Sequence, residues 1–320
     1  MKKIGKIFIL IASILVIIGS IIFVKALGDN NWNFNSLGTS KFVENTYDFE
    51  DEICNVVIDS NTSDIRLEKS NDGINRVVCY GPEKLIYNVS LSNSTLKVIT
   101  YNESKWYDNL FSFGDYKITI YLTNTELDLL KIDESTGDID ITSDFSFKTI
   151  DIDASTGDVE IKSCLIDELN VNLSTGDITI DKISSNNTNL EVSTGKISVS
   201  ELKCNGYLSI KVSTGKTTLS NCEANEFSST GSTGSLYIND FIVKEKISIV
   251  RDTGDVIFSK MDGGEIFIKT DTGKVSGSLL SDKVFIIETD TGRKDYPKTT
   301  TGGKCEITTD TGDIIITIEK

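Results

Sequence analysis

The chain contains no histidine and only two prolines, two tryptophans and two methionines in 320 residues. Without histidine there is no Ser-His-Asp or Cys-His nucleophile pair, no His-ligated zinc and no imidazole pH switch. Positive charge is also scarce: 32 Lys+Arg stand against 48 Asp+Glu, a formal net charge of −16. So acidic a chain lacks the basic footprint that nucleic acid requires, and no nucleic-acid partner is expected. Scarce proline leaves β-ladders free to run without interruption. Helical periodicity is missing after residue 25. What remains is 24 Gly, six Cys and a large stock of Ile, Val and Thr.

Lys2, Lys3 and Lys6 make residues 1–6 a basic segment. Residues 7–24 follow without a single charge and are mostly Ile, Leu, Val and Phe. As a helix they reach roughly 27 Å, enough to cross a bilayer core. Three lysines before this run and Lys25 after it favour a cytoplasmic N-terminus. The expectation is a single-pass transmembrane helix in the cytoplasmic membrane with everything beyond it extracytoplasmic. A cleaved signal peptide is the rival, but its apolar core is normally shorter, and Val24-Lys25-Ala26 is a poor cleavage site. Residues 25–40, rich in Asn, Gly and Ser, read as a linker.

Self-similarity organises the remainder. Ser/Asp-Thr-Gly recurs with Gly at 137, 157, 176, 195, 215, 234, 254, 273, 292 and 312, at intervals of 19 or 20 residues. Five residues before each Gly stand Ile132, Ile152, Val171, Leu190, Ile210, Ser229, Ile249, Ile268, Ile287 and Ile307, apolar in nine of ten copies. Two residues after it the column is Ile139, Val159, Ile178, Ile197, Thr217, Leu236, Val256, Val275, Lys294 and Ile314. Apolar and polar residues alternate on both sides of the triplet, as in half-buried strands. The alternation changes parity at the triplet, which places the Thr inward at the bend. One such unit cannot bury its apolar face alone, whereas stacked units bury a continuous core. The expected fold is all-β: a right-handed parallel β-solenoid of about ten 19–20-residue repeats spanning residues 131–320, roughly 48 Å long. Residues 41–130 have strand composition without the period and read as an irregular N-terminal β region or cap. An antiparallel meander is the alternative.

The tandem triplets, with Lys117-Ile118-Thr119-Ile120-Tyr121-Leu122 leading into Leu130-Lys131-Ile132 and the closing Thr301-Gly302-Gly303-Lys304-Cys305-Glu306-Ile307, resemble a bacterial family. It is the family of β-strand-repeat surface proteins described as candidate adhesins, a domain of unknown function that includes membrane-anchored members of Lia-type envelope-stress operons. The resemblance covers about residues 42–318. It implies an extracytoplasmic β-solenoid without established catalytic residues.

Several residue groups are candidates for chemistry, and each has a structural counterpart. Asp-Thr-Gly at 252–254, 271–273, 290–292 and 310–312 is the triplet of aspartic proteases. That chemistry needs two copies meeting from two lobes, whereas here a column along one edge is expected. Asp138, Asp158, Asp177, Asp255 and Asp313 follow the Gly and suit calcium, but Lys196, Lys216, Lys274 and Arg293 interrupt their column. The Thr column suits ordered water or ice. Cys54, Cys79, Cys164, Cys204, Cys222 and Cys305 are read as mostly free thiols, with Cys204–Cys222 and Cys54–Cys79 open as disulfides. The aromatics of residues 106–113 suit either a cap or a ligand platform. Residues 293–298 read as a bulging loop. Residues 314–318 leave an open strand edge, where a partner or a second copy would dock.

No catalytic, cofactor or metal residue set emerges from this reading. The expected function is that of a non-catalytic membrane-anchored scaffold for binding, adhesion or envelope-stress sensing. Its expected partners are the membrane through residues 7–24, an envelope protein or cell-wall polymer, and a second copy end to end. A polysaccharide-active β-helix enzyme and a passive spacer are the alternatives.

Overall fold

The computed structural model of the protein describes residues 2–29, 32, 41–102, 114–142 and 144–319. One helix, Lys2–Asp29, is followed by strands throughout. Every described side chain from Phe8 to Val24 is exposed, so this apolar helix has no protein core to enter.

The rest is a parallel β-solenoid. Each regular coil has a long strand, a bend at the triplet glycine and a short strand, as in Leu165–Thr175, Gly176 and Ile178–Asp181. Long strands stack in register on long strands and short on short. Ile152, Val171, Leu190 and Ile210 therefore form one interior row, each about 1 % exposed or less. Burial of each such side chain contributes about 1.5–3 kcal/mol.

Glycine is required at the first corner. Gly176 has φ +140°, and a Cβ there would meet the carbonyl oxygen of Gly157 at 1.9 Å. The second corner is built differently. Six residues after the triplet glycine, Ser163, Lys182, Glu201, Asn221, Asp240 and Lys260 all take φ between +50° and +55°. No glycine marks this corner, although left-handed backbone is strained for Ser163, Lys182, Glu201 and Lys260 and comes readily only to Asn221 and Asp240.

The parity change falls one residue earlier than the sequence pattern implies. In the Gly157 repeat Ile150, Ile152 and Ala154 point inward, but Ser155 and Thr156 are both exposed. The Thr before each of the ten glycines is exposed, which corrects the inward placement expected for it. The extra outward residue is what turns the corner.

At both ends the coil order departs from the chain order. Asn55–Ser60 lies between Thr95–Asn102 and Glu126–Thr136, and Asp64–Lys69 lies between Lys117–Leu122 and Ile139–Ile141. An early coil is thus inserted between a later one and the regular stack. Beyond it, Leu85–Ser92 pairs antiparallel with Thr95–Asn102, Asn75–Pro82 pairs antiparallel with Lys117–Leu122, and Phe42–Phe49 covers Asn75–Pro82.

At the other end Gly303–Thr311 is inserted between Val256–Thr272 and Lys283–Thr291. Ile314–Ile318 lies between Val275–Leu279 and the two-residue strand Lys294–Asp295. Residues 314–318 are therefore not the outermost edge, and Ile314 and Ile316 are buried. The outermost coil is the one before it, of Lys283–Thr291 and Lys294–Asp295. Of the expected loop 293–298, Lys294 and Asp295 form a strand, and Tyr296 packs on the core beside Phe285. Lys294 departs from the apolar column because its coil is terminal and has no further coil to bury it.

Candidate functional site

The aspartates after the bend glycines do one clear job. Asp138 Oδ1 accepts a hydrogen bond from the Asp158 amide at 2.8 Å, Asp158 Oδ1 from the Asp177 amide at 2.8 Å, and Asp177 Oδ1 from the Lys196 amide at 2.8 Å. Asp64 receives the Asp138 amide at 3.2 Å in the inserted coil. Asp255 and Asp313 repeat the contact with the amides of Lys274 and Arg293. Each carboxylate caps a backbone amide of the next coil at the corner. Lys196 ends the first run, and its Nζ lies 3.3 Å from Asp177 Oδ2. Among the described residues no group of three or more His, Cys, Asp or Glu side chains is placed to hold a metal ion.

Asp252, Asp271, Asp310 and Asp290 follow one another rung by rung on the same exposed corner. They are a column and not the facing pair that a protease requires. The Thr residues form one further exposed rank beside them. None of the six cysteines is in a disulfide, and all but Cys54 are buried. Burial pushes the Cys79, Cys164 and Cys305 thiols up to about 12, which makes them packing groups and not nucleophiles. The aromatics of residues 106–113 lie outside the described residues.

Glu134 and Arg251 are nearly enclosed, and both occupy the column three residues before the bend glycine. Glu134 is 1 % exposed. Its Oε1 accepts from the amides of Ser63 at 3.3 Å and Thr136 at 3.1 Å, while Oε2 has no partner. Ser63 stands at the bend of the inserted coil, where Gly137 packs against its carbonyl. Burial raises the Glu134 carboxyl to about 7 despite these donors. Arg251 is 1 % exposed and donates Nη2 to Ser229 Oγ at 2.7 Å, leaving Nε and Nη1 without partners. Gly231 leaves room for the guanidinium, since a Cβ there would meet Nη1 at 2.0 Å. The polar Ser229 in an apolar column and the side-chain-free Gly231 thus accommodate one charge. Their joint departure from the repeat was the available signal for Arg251.

Two of the surface grooves run over successive coils. One, of about 470 Å³, follows the aspartate run past Arg66, Lys117, Asp140 and Glu160. Arg66 is tied there to Asp140 at 3.2 Å. The second, of about 560 Å³, crosses the long strands from Glu52 and Asn124 to Asn186 and Asn205. It runs along the stack over successive coils. Lys148 bonds Asp128 at 2.5 Å and Asn186 donates to Asp167 at 3.0 Å. Ser146, Ser184 and Asn205 bring side chains with no hydrogen-bond partner among the described residues to this groove, and Leu165 projects into it 60 % exposed.

A stack of aspartate-capped coils with polar grooves along its length defines an extended β-repeat scaffold. The chain belongs to the Toastrack family, DUF4097, whose model matches residues 53–216. Among solved structures it is similar to a candidate adhesin from Bacteroides fragilis, at 15% identity and TM-score 0.44 over 87% of this chain and 97% of that one. A candidate adhesin from Parabacteroides merdae gives 11% identity and TM-score 0.44 over 88% and 98%. A candidate lipid-binding protein from Parabacteroides distasonis gives 15% and 0.40 over 88% and 98%. No curated protein matches the chain.

Proposed function

We propose that the protein is a non-catalytic binding scaffold, held in the cytoplasmic membrane by its N-terminal helix with the repeats on the outer side. Its ligand is a linear, uncharged, polyhydroxylated polymer of the cell envelope, bound in the groove between Glu52 and Asn205. That groove is the observation that carries the reading. It is long and follows the stack, so it suits an extended chain and not a compact small molecule. It offers unpartnered hydroxyls and an amide beside the apolar Leu165, a mixture that fits sugar rings. Glu52, Glu126, Asp128 and Asp167 outnumber Lys148, which repels polyanions. The membrane placement is supported by the 22-residue helical stretch Phe8–Asp29, which holds an 18-residue window of mean hydropathy 2.7 and whose side chains from Phe8 to Val24 are all exposed.

The test is co-sedimentation of the detergent-solubilised full chain with purified wall polymer. Leu165→Asp is expected to lower the bound fraction at least tenfold, while Lys211→Ala, outside the groove, leaves it unchanged. Equal binding by both variants would end the assignment. Breakdown of the polymer would instead promote the enzyme reading. Cross-linking in cells tests envelope-stress sensing, which predicts recovery of a membrane signalling protein that requires residues 41–320.

A further inference from the structure

The two ends of the solenoid are finished differently. The N-terminal end is covered by antiparallel strands, and the chain arriving from the helix enters there through Phe42–Phe49. At the far end Lys283–Thr291 pairs with Gly303–Thr311 on one side only, and among the described residues its other edge has no strand partner. A strand edge of this kind carries unpaired amides and carbonyls that template another strand. Its centre, Val284-Phe285-Ile286-Ile287, is apolar, with Val284 41% and Ile286 44% exposed. Partial cover comes from Thr299, whose Oγ1 donates to the Lys283 carbonyl at 2.5 Å, and on the inner face from Tyr296 beside Phe285.

We propose that this edge pairs antiparallel with the same edge of a second copy, about a two-fold axis near Ile286, joining two solenoids end to end. Three observations select a second copy. First, the register is self-complementary: Ile286 meets Ile286 on the outer face, and Phe285 meets Ile287 on the inner face. Second, the outer strands of the N-terminal end, Phe42–Phe49 and Leu85–Ser92, are antiparallel and lie where the chain arrives from the helix, so a copy that pairs through its far end closes as an isologous pair. Third, the end is electrically neutral while the chain is not. Residues 280–302 hold four acidic side chains (Asp282, Glu288, Asp290, Asp295) and four basic ones (Lys283, Arg293, Lys294, Lys298), against −16 for the whole chain. Repulsion therefore opposes lateral association and spares this end. On the anchored reading above, on which this consequence rests, the two helices lie at opposite ends of a rod on the order of 100 Å long, counted at about 4.8 Å per coil. Such a pair bridges two membrane surfaces.

The experiment places the full chain in lipid nanodiscs at one copy per disc and images them at micromolar concentration. The expected particle is a rod with a disc at each end, and Ile286→Lys returns single discs with unchanged circular dichroism. Exchange protection of residues 283–291 rises with concentration in the unaltered chain and not in the variant. Single discs throughout, or two chains side by side from one disc, overturn the pairing. A chain that does not enter discs defeats the anchored reading instead, and its mass in solution still reports whether it pairs.

Discussion

In the middle of the solenoid, from Gly157 to Gly254, coil order and chain order agree. At the two ends they do not, although the C-terminal exchange uses repeats of ordinary length. The intervals Gly273–Gly292 and Gly292–Gly312 are 19 and 20 residues, as elsewhere. Near-identical coils stack on one another with similar energy, so the period specifies the unit and not the order. Order at the ends must come from contacts that only one arrangement makes. Lys283 supplies such a contact, because its buried Nζ reaches past the inserted strand to Asp262 at 2.6 Å and Ser281 at 2.6 Å. Asp262 would be raised by its burial, but the bonds from Lys283, Ser281 and the Gly263 amide hold its carboxyl below the ordinary value.

The largest expected difference between middle and end comes from the bend. Gly176→Ala places a Cβ against a carbonyl in a coil clamped on both sides, and should cost about 4 kcal/mol in urea unfolding. Gly292→Ala meets the Gly312 carbonyl at 2.0 Å, yet its coil is outermost and can peel away. About 2 kcal/mol is expected there, confined to residues 283–302 in hydrogen exchange. Equal costs would mean that the terminal coil is as firmly held as the centre.

Lys283→Met removes the partner of the partly buried Asp262 carboxylate. A loss of about 3 kcal/mol is expected, seen as faster exchange in residues 283–318 with the Gly176 coil unchanged. Uniform acceleration along the chain would contradict a local staple.

Glu134→Gln probes the opposite end. The Glu134 carboxyl is raised to about 7 in the folded state from an ordinary 4.5. A raised carboxyl costs nothing while both states are protonated, and the penalty grows as pH rises through the folded value. The unaltered protein should therefore lose about 2 kcal/mol relative to the Gln variant between pH 5 and pH 8, since Gln keeps the acceptor and carries no charge. Parallel stability curves for the two proteins would refute the assignment.

The smallest effect concerns the second corner. Glu201→Gly relieves a left-handed φ of +50° at some cost in chain entropy, and should stabilise by about 0.5 kcal/mol. A loss on substitution would show that the side chain itself holds the corner.

Much of this architecture was legible in the residues. The triplet marked the first corner because only glycine tolerates the close approach of the neighbouring carbonyl. The rows of Ile and Val marked the interior. The second corner left no mark, since Ser163, Lys182, Glu201, Asn221, Asp240 and Lys260 share a conformation and no chemistry. Thr was misplaced because strict alternation does not allow two successive outward residues. The coil exchange left only Lys294, a charge in an apolar column, as a trace of the terminal coil. The grooves were not legible, because their residues come from polar positions whose alignment depends on register between coils. Glu134 and Arg251 were overlooked because the column three before the glycine tolerates Ala, Leu, Val, Gly and Thr, and so carries no strong pattern.

The exchanged order at the C-terminal end is tested most directly by engineered disulfides at the bend. Thr272 and Thr311 are ladder partners, as are Thr291 and Thr311, whereas Thr272 and Thr291 are separated by the inserted coil. One rung, about 4.8 Å, suits a disulfide, and two rungs exceed its reach of roughly 7 Å. Under mild oxidation, Thr272→Cys with Thr311→Cys should cross-link fully, and Thr272→Cys with Thr291→Cys should not. The reverse outcome would restore a sequential solenoid and remove the open edge at residues 283–291.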